Sequence, residues 1–548
     1  MKRCYILSVL LSLTMSLFAI EQLEVNIQAG QLSSVIKPSQ KYTIEFLLIS
    51  GSINGDDILF LREMMGSDRF GNATNKGKLS YLDLSKAQIV RGGRSYYRYN
   101  SEAKDYYTAD NIIGDAMFID CSLLVGISLP NNVREIGWAA FYGCPNLRQV
   151  IMPDQLINIG KSVFMDCSNL SDVSLPMNLK SIGEDAFRNT GIQQIVIPES
   201  VTRIDKQAFA MCSLLQSVKL ESSLDLPENM FYGCENLSSV ELSNGIKKIG
   251  DAAFQGCKKL VSINIPNSLT AIGKGVFYNC HSLKSINLPD AVSSFGEGNF
   301  YMCTSLTEAH LPASINGIPA STFAGCSSLR EVNIPRDCKI IGDYAFLECK
   351  SLNTIYVEST TIPKLIGRAF ANSNTNCVVE VPKGTLQQFK NDSNWGYFNN
   401  FRESSVAAQK FVADELTDKA TKGNVEAQYE LGIRMLNNNM GYTGKESEGF
   451  AWLLKAARNN HVKAQTGVGY CYHFGVGTAK DFKKAVFWYT KAANAGDASA
   501  QCNLGKCYIA GEGVAKNKQM GINWYKKAAR NGSSVAKQNL NELGVYNY

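Results

Sequence analysis

The fold is decided by AAFYGCPNLRQV, the stretch Ala139–Val150, because close copies of it recur along the chain. Two of them are AAFQGCKKLVSI at 252–263 and STFAGCSSLREV at 321–332. The phenylalanine recurs at intervals of 22 to 24 residues, at Phe118, Phe141, Phe164, Phe187, Phe209, Phe231, Phe254, Phe277, Phe300, Phe323, Phe346 and Phe370. A period of this length predicts a solenoid, in which each copy forms one coil and packs against its neighbours.

Each copy also predicts the shape of its coil. The apolar positions after the cysteine follow L-x-x-V-x-L, and their final alternation indicates a short strand with one inward face. A proline usually follows and helps to end the strand, because it has no N–H to donate. A glycine before the phenylalanine suits a tight bend. We therefore expect a β-rich solenoid of about twelve 23-residue coils stacked in parallel, about 4.8 Å apart, with phenylalanine inside.

Ten copies carry a cysteine three residues after the phenylalanine, at Cys121, Cys144, Cys167, Cys212, Cys234, Cys257, Cys280, Cys303, Cys326 and Cys349. Disulfides, a metal array and buried reduced thiols are the three alternatives. Stacked coils hold these Cβ atoms at the coil spacing, which is wider than the distance of about 3.8 Å that a disulfide needs. A ladder does not converge four ligands on one ion, and no C-x-x-C pair occurs. The pattern favours buried, reduced thiols.

A different period begins near residue 405. Trp452, Trp488 and Trp524 are each 36 residues apart, within a unit A-x-x-x-L-G-x-x-Y, a loop and W-Y-x-K-A-A. Apolar residues at i, i+4 and i+8 indicate helices, and glycine-rich loops join them. The pattern predicts an α-α superhelix of about three 36-residue helix pairs, so that the chain is a two-solenoid repeat protein.

The chain begins MKRCYILSVLLSLTMSLFAIEQ, in which a basic start precedes an apolar run. This is typical of a signal peptide, which we place at residues 1–19. No later stretch approaches about 18 apolar residues, so we predict no transmembrane segment. We expect residues 20–111 to cap the first solenoid, 112–403 to form that solenoid with a C-terminal cap, and 404–548 to form the helical repeats.

The non-repeating ends of the first solenoid carry their own patterns. Residues 42–65 predict a strand, a turn and a helix, with Asp56 as the cap of that helix. The tyrosine-rich segment Arg94–Tyr107 is predicted to be a loop. Beyond the last coil we expect a short helix that covers the open end of the array with Leu386, Phe389 and Trp395.

The 23-residue unit, with residues such as Ile136, Gly137, Phe141 and Cys144, resembles the BspA-like leucine-rich repeats over about residues 112–382. The 36-residue unit is similar to Sel-one-like repeats, which are short relatives of the tetratricopeptide repeat. The first resemblance implies surface proteins associated with adhesion, and the second implies the assembly of complexes. Some exported Sel-one-like proteins bridge their helix pairs with regular cysteines, a framework that is not implied by Cys471, Cys502 and Cys507.

The sequence contains no motif for catalysis or metal binding that we recognise. It has four histidines, His281, His310, His461 and His473, and none lies in a metal-binding spacing. It lacks a Walker A motif, a G-x-S-x-G motif and a dinucleotide-binding glycine pattern. We therefore predict no enzyme activity, no catalytic residue, no cofactor and no metal site.

Binding is the remaining class of function. The outward position of each predicted strand forms a stripe along the array, and its candidate binding residues are Asn264, Asn287, His310, Asn333 and Tyr356. The stripe is either a solvated sheet face or a surface that reads a ligand. Few aromatic residues and no basic run argue against nucleic acid.

These patterns together predict an exported, non-catalytic recognition protein at the cell surface, in the extracellular space or in the periplasm. We expect it to bind a protein or a glycan through the solenoid face and a second protein through the helical repeats. The alternatives are an adaptor for envelope assembly or regulation, and a surface protein that captures glycans.

Overall fold

The computed structural model describes residues 22–74, 76–99, 103–289, 291–312, 315–403, 417, 420–421, 423–436 and 445–546. The chain divides into two compact units, Met1–Ser404 and Ser405–Tyr548. The predicted signal peptide, residues 1–19, lies outside the described residues. Within the described residues, no helix combines the length and the apolar character that crossing a membrane requires.

The first unit is a β-solenoid, as the sequence predicts, with a few short helices at its ends. Its described helices are α1 (Leu32–Val35), α2 (Gly55–Met64) and α3 (Leu386–Asn391). Its described strands are β1 (Gln22–Ile27), β2 (Phe46–Ile53), β3 (Tyr81–Ile89), β4 (Gly92–Tyr99), β5 (Lys104–Thr108), β6 (Ile112–Ile113), β7 (Gly126–Ser128), β8 (Glu135–Ile136), β9 (Gln149–Ile151), β10 (Asn158–Ile159), β11 (Asp172–Val173), β12 (Ser181–Ile182), β13 (Gln194–Ile197), β14 (Arg203–Ile204), β15 (Ser217–Leu220), β16 (Ser239–Glu241), β17 (Lys248–Ile249), β18 (Ala271–Ile272), β19 (Ser285–Asn287), β20 (Ser294–Phe295), β21 (Glu308–His310), β22 (Gly317–Ile318), β23 (Glu331–Ile334), β24 (Ile340–Ile341), β25 (Thr354–Val357), β26 (Lys364–Leu365), β27 (Val378–Val381) and β28 (Asn400–Glu403).

The strands of the coils form two rows. One row holds the longer strands, in sheets of order β1-β2-β3-β7-β9-β11, β13-β15-β16 and β19-β21-β23-β25-β27-β28. The other holds two-residue strands, in sheets of order β6-β8-β10-β12-β14, β17-β18-β20 and β22-β24-β26. Each coil therefore passes through a second sheet. The sequence did not predict this sheet, because each of its strands contributes a single inward residue, such as Ile136.

A third side of each coil, around the phenylalanine, is held by backbone hydrogen bonds that we call the turn ladder. The N–H of Phe118, for example, donates to the carbonyl of Ala140 in the next coil at 2.7 Å. In most coils the residues two positions before and after the phenylalanine are left-handed, as at Ala139 (φ 51°) and Gly143 (φ 67°) around Phe141. These reversals turn alternate N–H groups toward the same neighbouring coil.

The twelve repeat phenylalanines are buried, which confirms the predicted interior column. Consecutive rings stack with centroids 4.7–5.9 Å apart from Phe118 to Phe370. Offset stacking at this distance adds aromatic attraction to the burial of apolar surface. The core is therefore one continuous stack, in which each ring depends on the coil before and the coil after it.

In most coils a glycine lies four residues before the phenylalanine, and the close approach of the neighbouring coil limits the side chain there. A Cβ atom on Gly183 would lie 2.6 Å from the carbonyl carbon of Gly160, and one on Gly296 would lie 2.5 Å from that of Gly273. Such contacts are too short for a Cβ atom, so a larger residue at these two glycines would push the neighbouring coils apart.

The repeat cysteines are free and buried, which confirms the predicted buried thiols. From Cys144 onward each thiol donates to the carbonyl of the phenylalanine one coil earlier, at 3.0–3.5 Å; Cys280 donates to Phe254 at 3.2 Å. In the two copies without cysteine, the hydroxyls of Thr190 and Ser373 also donate to phenylalanine carbonyls. The position thus requires a small side chain that can donate a hydrogen bond.

The N-terminal cap supplies donors to the carbonyl end of the turn ladder, where the first coil has no preceding coil. Arg62, buried on α2, donates from Nη1 to the carbonyls of Met117 at 3.2 Å and Ile119 at 3.0 Å. The hydroxyl of Tyr96 donates to the carbonyl of Asp115 at 2.8 Å. Buried carbonyls without donors are costly, so these contacts close the array.

The predicted cap of α2 is wrong by two residues. Asn54 is the N-cap, and its side chain accepts a hydrogen bond from the Asp56 N–H at 3.0 Å. The carboxylate of Asp57 in turn accepts from the Asn54 N–H at 2.9 Å, which completes a capping box. Asp56 instead pairs with Arg94 at 2.5 Å.

The segment Arg94–Tyr107, which the sequence predicted to be a loop, contributes to an antiparallel hairpin of β4 and β5. The rings of Tyr97 and Tyr106 lie 5.9 Å apart across the two strands, and Tyr106 also packs 6.2 Å from Trp138 of the solenoid. Aromatic pairs across two strands stabilise a hairpin, which explains why the residues of β4 and β5 pair as strands.

The C-terminal cap follows its prediction. Helix α3 and the residues after it bury Phe389 and Trp395, and Trp395 Nε1 donates to the carbonyl of Pro363 at 2.8 Å. The ring of Phe398 packs edge-on against Phe370, the last ring of the stack, at 5.2 Å. The open end of the core is thereby covered.

The second unit is an α-α solenoid, as predicted. Two glycines at equivalent positions, Gly469 and Gly505, face tyrosine rings so closely that a Cβ would lie 2.5 Å from Tyr489 and 2.7 Å from Tyr525. The repeated small residues therefore let the helices cross closely. Its described helices include α4 (Val425–Leu436), α5 (Glu446–Arg458), α6 (Val462–Phe474), α7 (Phe482–Asn494), α8 (Ala498–Ala510), α9 (Lys518–Arg530) and α10 (Ser534–Glu542).

Candidate binding face

The longer strands present their outward side chains on one side of the coils, a surface that we call the outer strand face and define as the outward side chains of β7 to β28 in that row. In β13 the side chains of Gln194 and Val196 are exposed, whereas Ile195 and Ile197 are buried. Because neighbouring strands are parallel and in register, equivalent outward residues form rows along the array.

The structure places the five predicted residues along this row but does not present all of them in the same way. Asn287 and His310 are exposed and in register on adjacent strands. Asn333 and Tyr356 are in register with each other, and Tyr356 is half-buried. Asn264 is exposed in a segment that forms no strand. The stripe is therefore interrupted before β19.

Asn333 is buried, unlike its neighbours in this row. Its side chain is 3% exposed, and its Oδ1 accepts the N–H of Leu311 in the preceding coil at 3.5 Å. The amide completes backbone hydrogen bonding between two coils, which is a structural role that the strand alternation could not reveal.

The C-terminal end of the row is charged. Glu380, buried beside Tyr356, accepts a hydrogen bond from Arg402 Nε at 2.6 Å. Burial raises the pKa of Tyr356, and the carboxylates of Glu331 and Glu380 raise it further. The phenol therefore remains protonated and can donate a hydrogen bond at neutral pH.

A groove lies on the same face, nearer the N-terminus than the predicted residues. It has a volume of about 550 Å³, and its floor is the outward side of β11, β13, β15 and β16. Two exposed apolar side chains line it, Met177 (69% exposed) and Val196 (49% exposed). Asp172, Lys219 and Glu241 supply charge along its walls.

The groove coincides with a break in the row of strands. No pairing joins β11 to β13 in the described residues, and the interval from Phe187 to Phe209 is 22 residues where the usual one is 23. The shortened coil passes so near its neighbour at Gly191 that a Cβ there would lie 2.6 Å from the carbonyl oxygen of Ser168.

The charges of the groove are already partly paired. Lys219 donates to Glu221 at 2.7 Å, and this contact raises the pKa of the lysine. Asp172 accepts a hydrogen bond from Gln149 at 2.5 Å. The groove is thus lined both by exposed apolar side chains and by polar groups that are already paired with neighbours.

The second unit has features of its own. Tyr470 and Phe474, one turn apart on α6, are exposed and their rings lie 4.6 Å apart. His473, Cys507 and Glu512 converge within the repeats and are the one metal-binding type of cluster among the residues described. The sequence did not predict this convergence, because the three residues belong to two different repeats.

The structure defines a scaffold of two tandem-repeat solenoids. The family model for the BspA type leucine rich repeat region matches residues 95–216, 224–353 and 316–393, and that for the Sel1 repeat matches 425–461, 462–497 and 498–533. The first set alone spans more than half of the chain, and the protein belongs to the BspA-type leucine-rich repeat family, with three Sel1 repeats after the β-solenoid.

Solved structures similar to parts of the chain come from several bacteria. A leucine-rich repeat protein from Bacteroides ovatus is 30% identical, with 55% of this chain and 89% of that chain covered and a TM-score of 0.39. A Sel1 repeat protein from Oxalobacter formigenes is 38% identical, covering 24% and 98%, with a TM-score of 0.22. A leucine rich cell surface protein from Faecalibacterium prausnitzii is 23% identical, covering 62% and 91%, with a TM-score of 0.31. A comparison with curated proteins finds no match.

Proposed function

We propose that this chain is an exported, non-catalytic recognition protein that binds another protein through the groove of its outer strand face. The groove carries this proposal, because it exposes Met177 and Val196 and is also lined by the charged residues Asp172, Lys219 and Glu241. An apolar centre with a polar rim is the usual composition of a protein interface. A repeat scaffold keeps such a surface rigid, so that little conformational entropy is lost on binding.

Two kinds of observation support the other parts of the proposal. Leucine-rich and Sel1 repeat families are protein-interaction scaffolds, which favours binding over catalysis. The basic start and apolar run of residues 1–19 favour export, which the fold itself does not test. An adhesin would use the groove to bind a host cell or a neighbouring cell. An envelope adaptor would use the same groove to bind a protein within the cell envelope.

A glycan is the second candidate ligand, and the polar part of the row favours it. Asn287 and His310 lie side by side and exposed, and Tyr356 adds a phenol ring two strands beyond His310. Amide, imidazole and phenol groups can donate to and accept from sugar hydroxyls. This surface is separate from the groove, so the two ligands can be distinguished by mutation.

The helical unit is proposed to bind a second protein. Tyr470 and Phe474 form an exposed aromatic pair on α6. Aromatic side chains are enriched in the parts of interfaces that contribute most to affinity.

The groove proposal is tested with the full-length protein against immobilised extracellular-matrix proteins, mucin and a glycan array. Val196→Asp and Met177→Asp should weaken protein binding at least about 10-fold, because each places a charge at the apolar centre. Val261→Asp is the matched control, since Val261 is 42% exposed on the same unit but does not line the groove.

Three results would redirect the proposal. Equal binding by the wild type and both groove variants would exclude the groove as the site. Loss of binding only on changing Asn287 or His310 to alanine, with glycans as the ligand, would favour the second candidate. A protein that survives protease treatment of intact cells would not be surface-exposed, which would favour an envelope adaptor.

A further inference from the structure

Three side chains of metal-binding type meet between the second and third helix pairs. His473 is in the last turn of α6, and Cys507 is in the last turn of α8. Glu512 follows Gly511, which ends α8 in the left-handed conformation (φ 83°). That turn brings the Glu512 carboxylate back toward His473, so that residues far apart in sequence come together.

The three groups lie within coordination range of one another after small side-chain movements. One candidate ligand atom from each residue lies within 4.8 Å of the other two. Cys507 Sγ is 3.8 Å from His473 Nδ1, and Glu512 Oε2 is 3.4 Å from His473 Nε2. Around a tetrahedral zinc ion, ligand atoms are about 3.3–3.7 Å apart. An ion held by all three residues must bind one nitrogen of the His473 ring. The side chain that faces the other ring nitrogen, either Cys507 or Glu512, must then move by about 1 Å.

The cluster is not satisfied by the contacts among its own members. Glu512 Oε2 is buried and accepts no hydrogen bond from the described residues, although a buried carboxylate oxygen normally needs a donor or a cation. Its contact with His473 Nε2, at 3.4 Å, does not meet the geometry of a hydrogen bond.

The surroundings suit a bound ion. His473 and Cys507 are buried, whereas the Glu512 side chain is partly exposed and leaves one side open to solvent. The ring of Phe482 packs edge-on against His473 at 5.2 Å, and that of Phe474 lies 4.5 Å away. These rings fix the imidazole and exclude water from the other side.

We propose that His473, Cys507 and Glu512 bind one Zn²⁺ ion, which links the second and third helix pairs. Nitrogen, sulfur and carboxylate oxygen are the ligand types of zinc sites, and three protein ligands leave a fourth position for water or for a group of a binding partner. Cys507 coordinates as a thiolate, so its S–H proton passes to solvent when the ion binds.

The experiment uses the full-length protein, purified with reductant and freed of metal with a chelator. Zn²⁺ is titrated in competition with a chromophoric chelator, and Co²⁺ is used as a spectroscopic probe. We expect one equivalent of tight binding, a thiolate-to-cobalt charge-transfer band and a higher melting temperature with zinc. Cys507→Ser, His473→Ala and Glu512→Gln should each weaken binding, with at least about 100-fold loss for the first two.

Cys471→Ser is the matched control, because Cys471 is a buried free thiol at the equivalent position, 36 residues earlier, outside the cluster. It should retain the affinity and the cobalt band of the wild type. Circular dichroism shows whether each variant is folded. Should Cys507→Ser or His473→Ala fail to fold, the wild-type cobalt spectrum and Glu512→Gln still decide the matter.

Two results would overturn the proposal. The first is the absence of a thiolate–cobalt band when Co²⁺ is added to the wild-type protein. The second is zinc binding by the Glu512→Gln and Cys507→Ser variants that is as tight as that of the wild type. Rapid, selective alkylation of Cys507 by iodoacetamide at pH 7 would instead indicate a nucleophile oriented by His473.

Discussion

One position in each coil illustrates how a single residue serves the whole array. Its side chain must be small enough for the coil stack and must donate to the carbonyl of a phenylalanine, as Cys280 does for Phe254. Cysteine, Thr190 and Ser373 meet both conditions. A thiol is the least costly of these donors to bury, because it is only weakly hydrated.

These thiols should be unreactive in the native protein. Burial raises the pKa of Cys280 to about 12, so the thiolate is about one part in a thousand at pH 9 and increases only as the pH approaches that pKa. Iodoacetamide at pH 9, read by mass spectrometry, should label few repeat cysteines before denaturation in guanidinium and nearly all of them afterwards. Complete labelling of the native protein would contradict the buried position of the column.

At this scale the sequence predicted most of the interior and less of the surface. A period near 23 residues assigns one inward phenylalanine and one small residue beside it to each coil, and the structure confirms that the twelve phenylalanines and the ten repeat cysteines are buried. The burial of Asn333 could not be predicted, because it depends on the backbone of the preceding coil. Asn54 was missed as the helix cap because Asp56 and Asp57 offered the same chemistry nearby.

Among the elements, helix α2 has the most specific task. The turn ladder leaves carbonyls of the first coil without a preceding coil, and α2 positions the guanidinium of Arg62 against two of them. The same group donates to the Ser67 hydroxyl at 2.9 Å. A planar guanidinium can donate in several directions at once, which a lysine ammonium at this position could not reproduce.

Arg62→Met should therefore lower the free energy of unfolding of the β-solenoid by about 2–5 kcal/mol, because each of two buried carbonyls left without a donor costs about 1–3 kcal/mol. Arg62→Lys should fall between the wild type and Arg62→Met. Urea unfolding measures the effect, with Arg203→Met as control, since Arg203 is exposed and pairs with Asp205. A change below about 0.5 kcal/mol in Arg62→Met would contradict the capping role.

Elements that are long and repeated were easier to predict than those that are short or occur once. The longer strands follow from L-x-x-V-x-L, whereas two-residue strands such as Glu135–Ile136 carry too little alternation to be recognised. The hairpin around Tyr97 and Tyr106 occurs once, so no period reveals it. Its stability comes from tertiary contacts with Trp138, which sequence patterns do not contain.

Across the whole β-solenoid, stability is shared between neighbouring coils. Phe254→Ala should lower the free energy of unfolding by about 3–5 kcal/mol, because it opens a cavity in the ring stack. Hydrogen exchange should rise most in the coils of Phe231 and Phe277, whose rings contact Phe254 at 5.6 and 5.7 Å. Val261→Ala, at an exposed position, is the control, and a loss below about 1 kcal/mol for Phe254→Ala would contradict the inward column.

The binding surfaces depend on the whole molecule and were only partly predictable. The sequence identified the face that carries Asn287 and His310, because strand alternation separates outward from inward residues. It missed the groove near Val196, which lies where the pairing of strands is interrupted between β11 and β13. It also missed the meeting of His473 with Glu512, because contacts between repeats are not visible within one repeat.

The one-way direction of the turn ladder bears on how such a protein can change in length. Every interior coil offers N–H groups to the coil after it and carbonyls to the coil before it, so a duplicated 23-residue segment inserted between two coils would be accommodated on both sides. Each duplication would extend the reach of the molecule by about 4.8 Å. The two termini of the array are not interchangeable, and tandem copying can vary the middle while Arg62 and Trp395 keep their places.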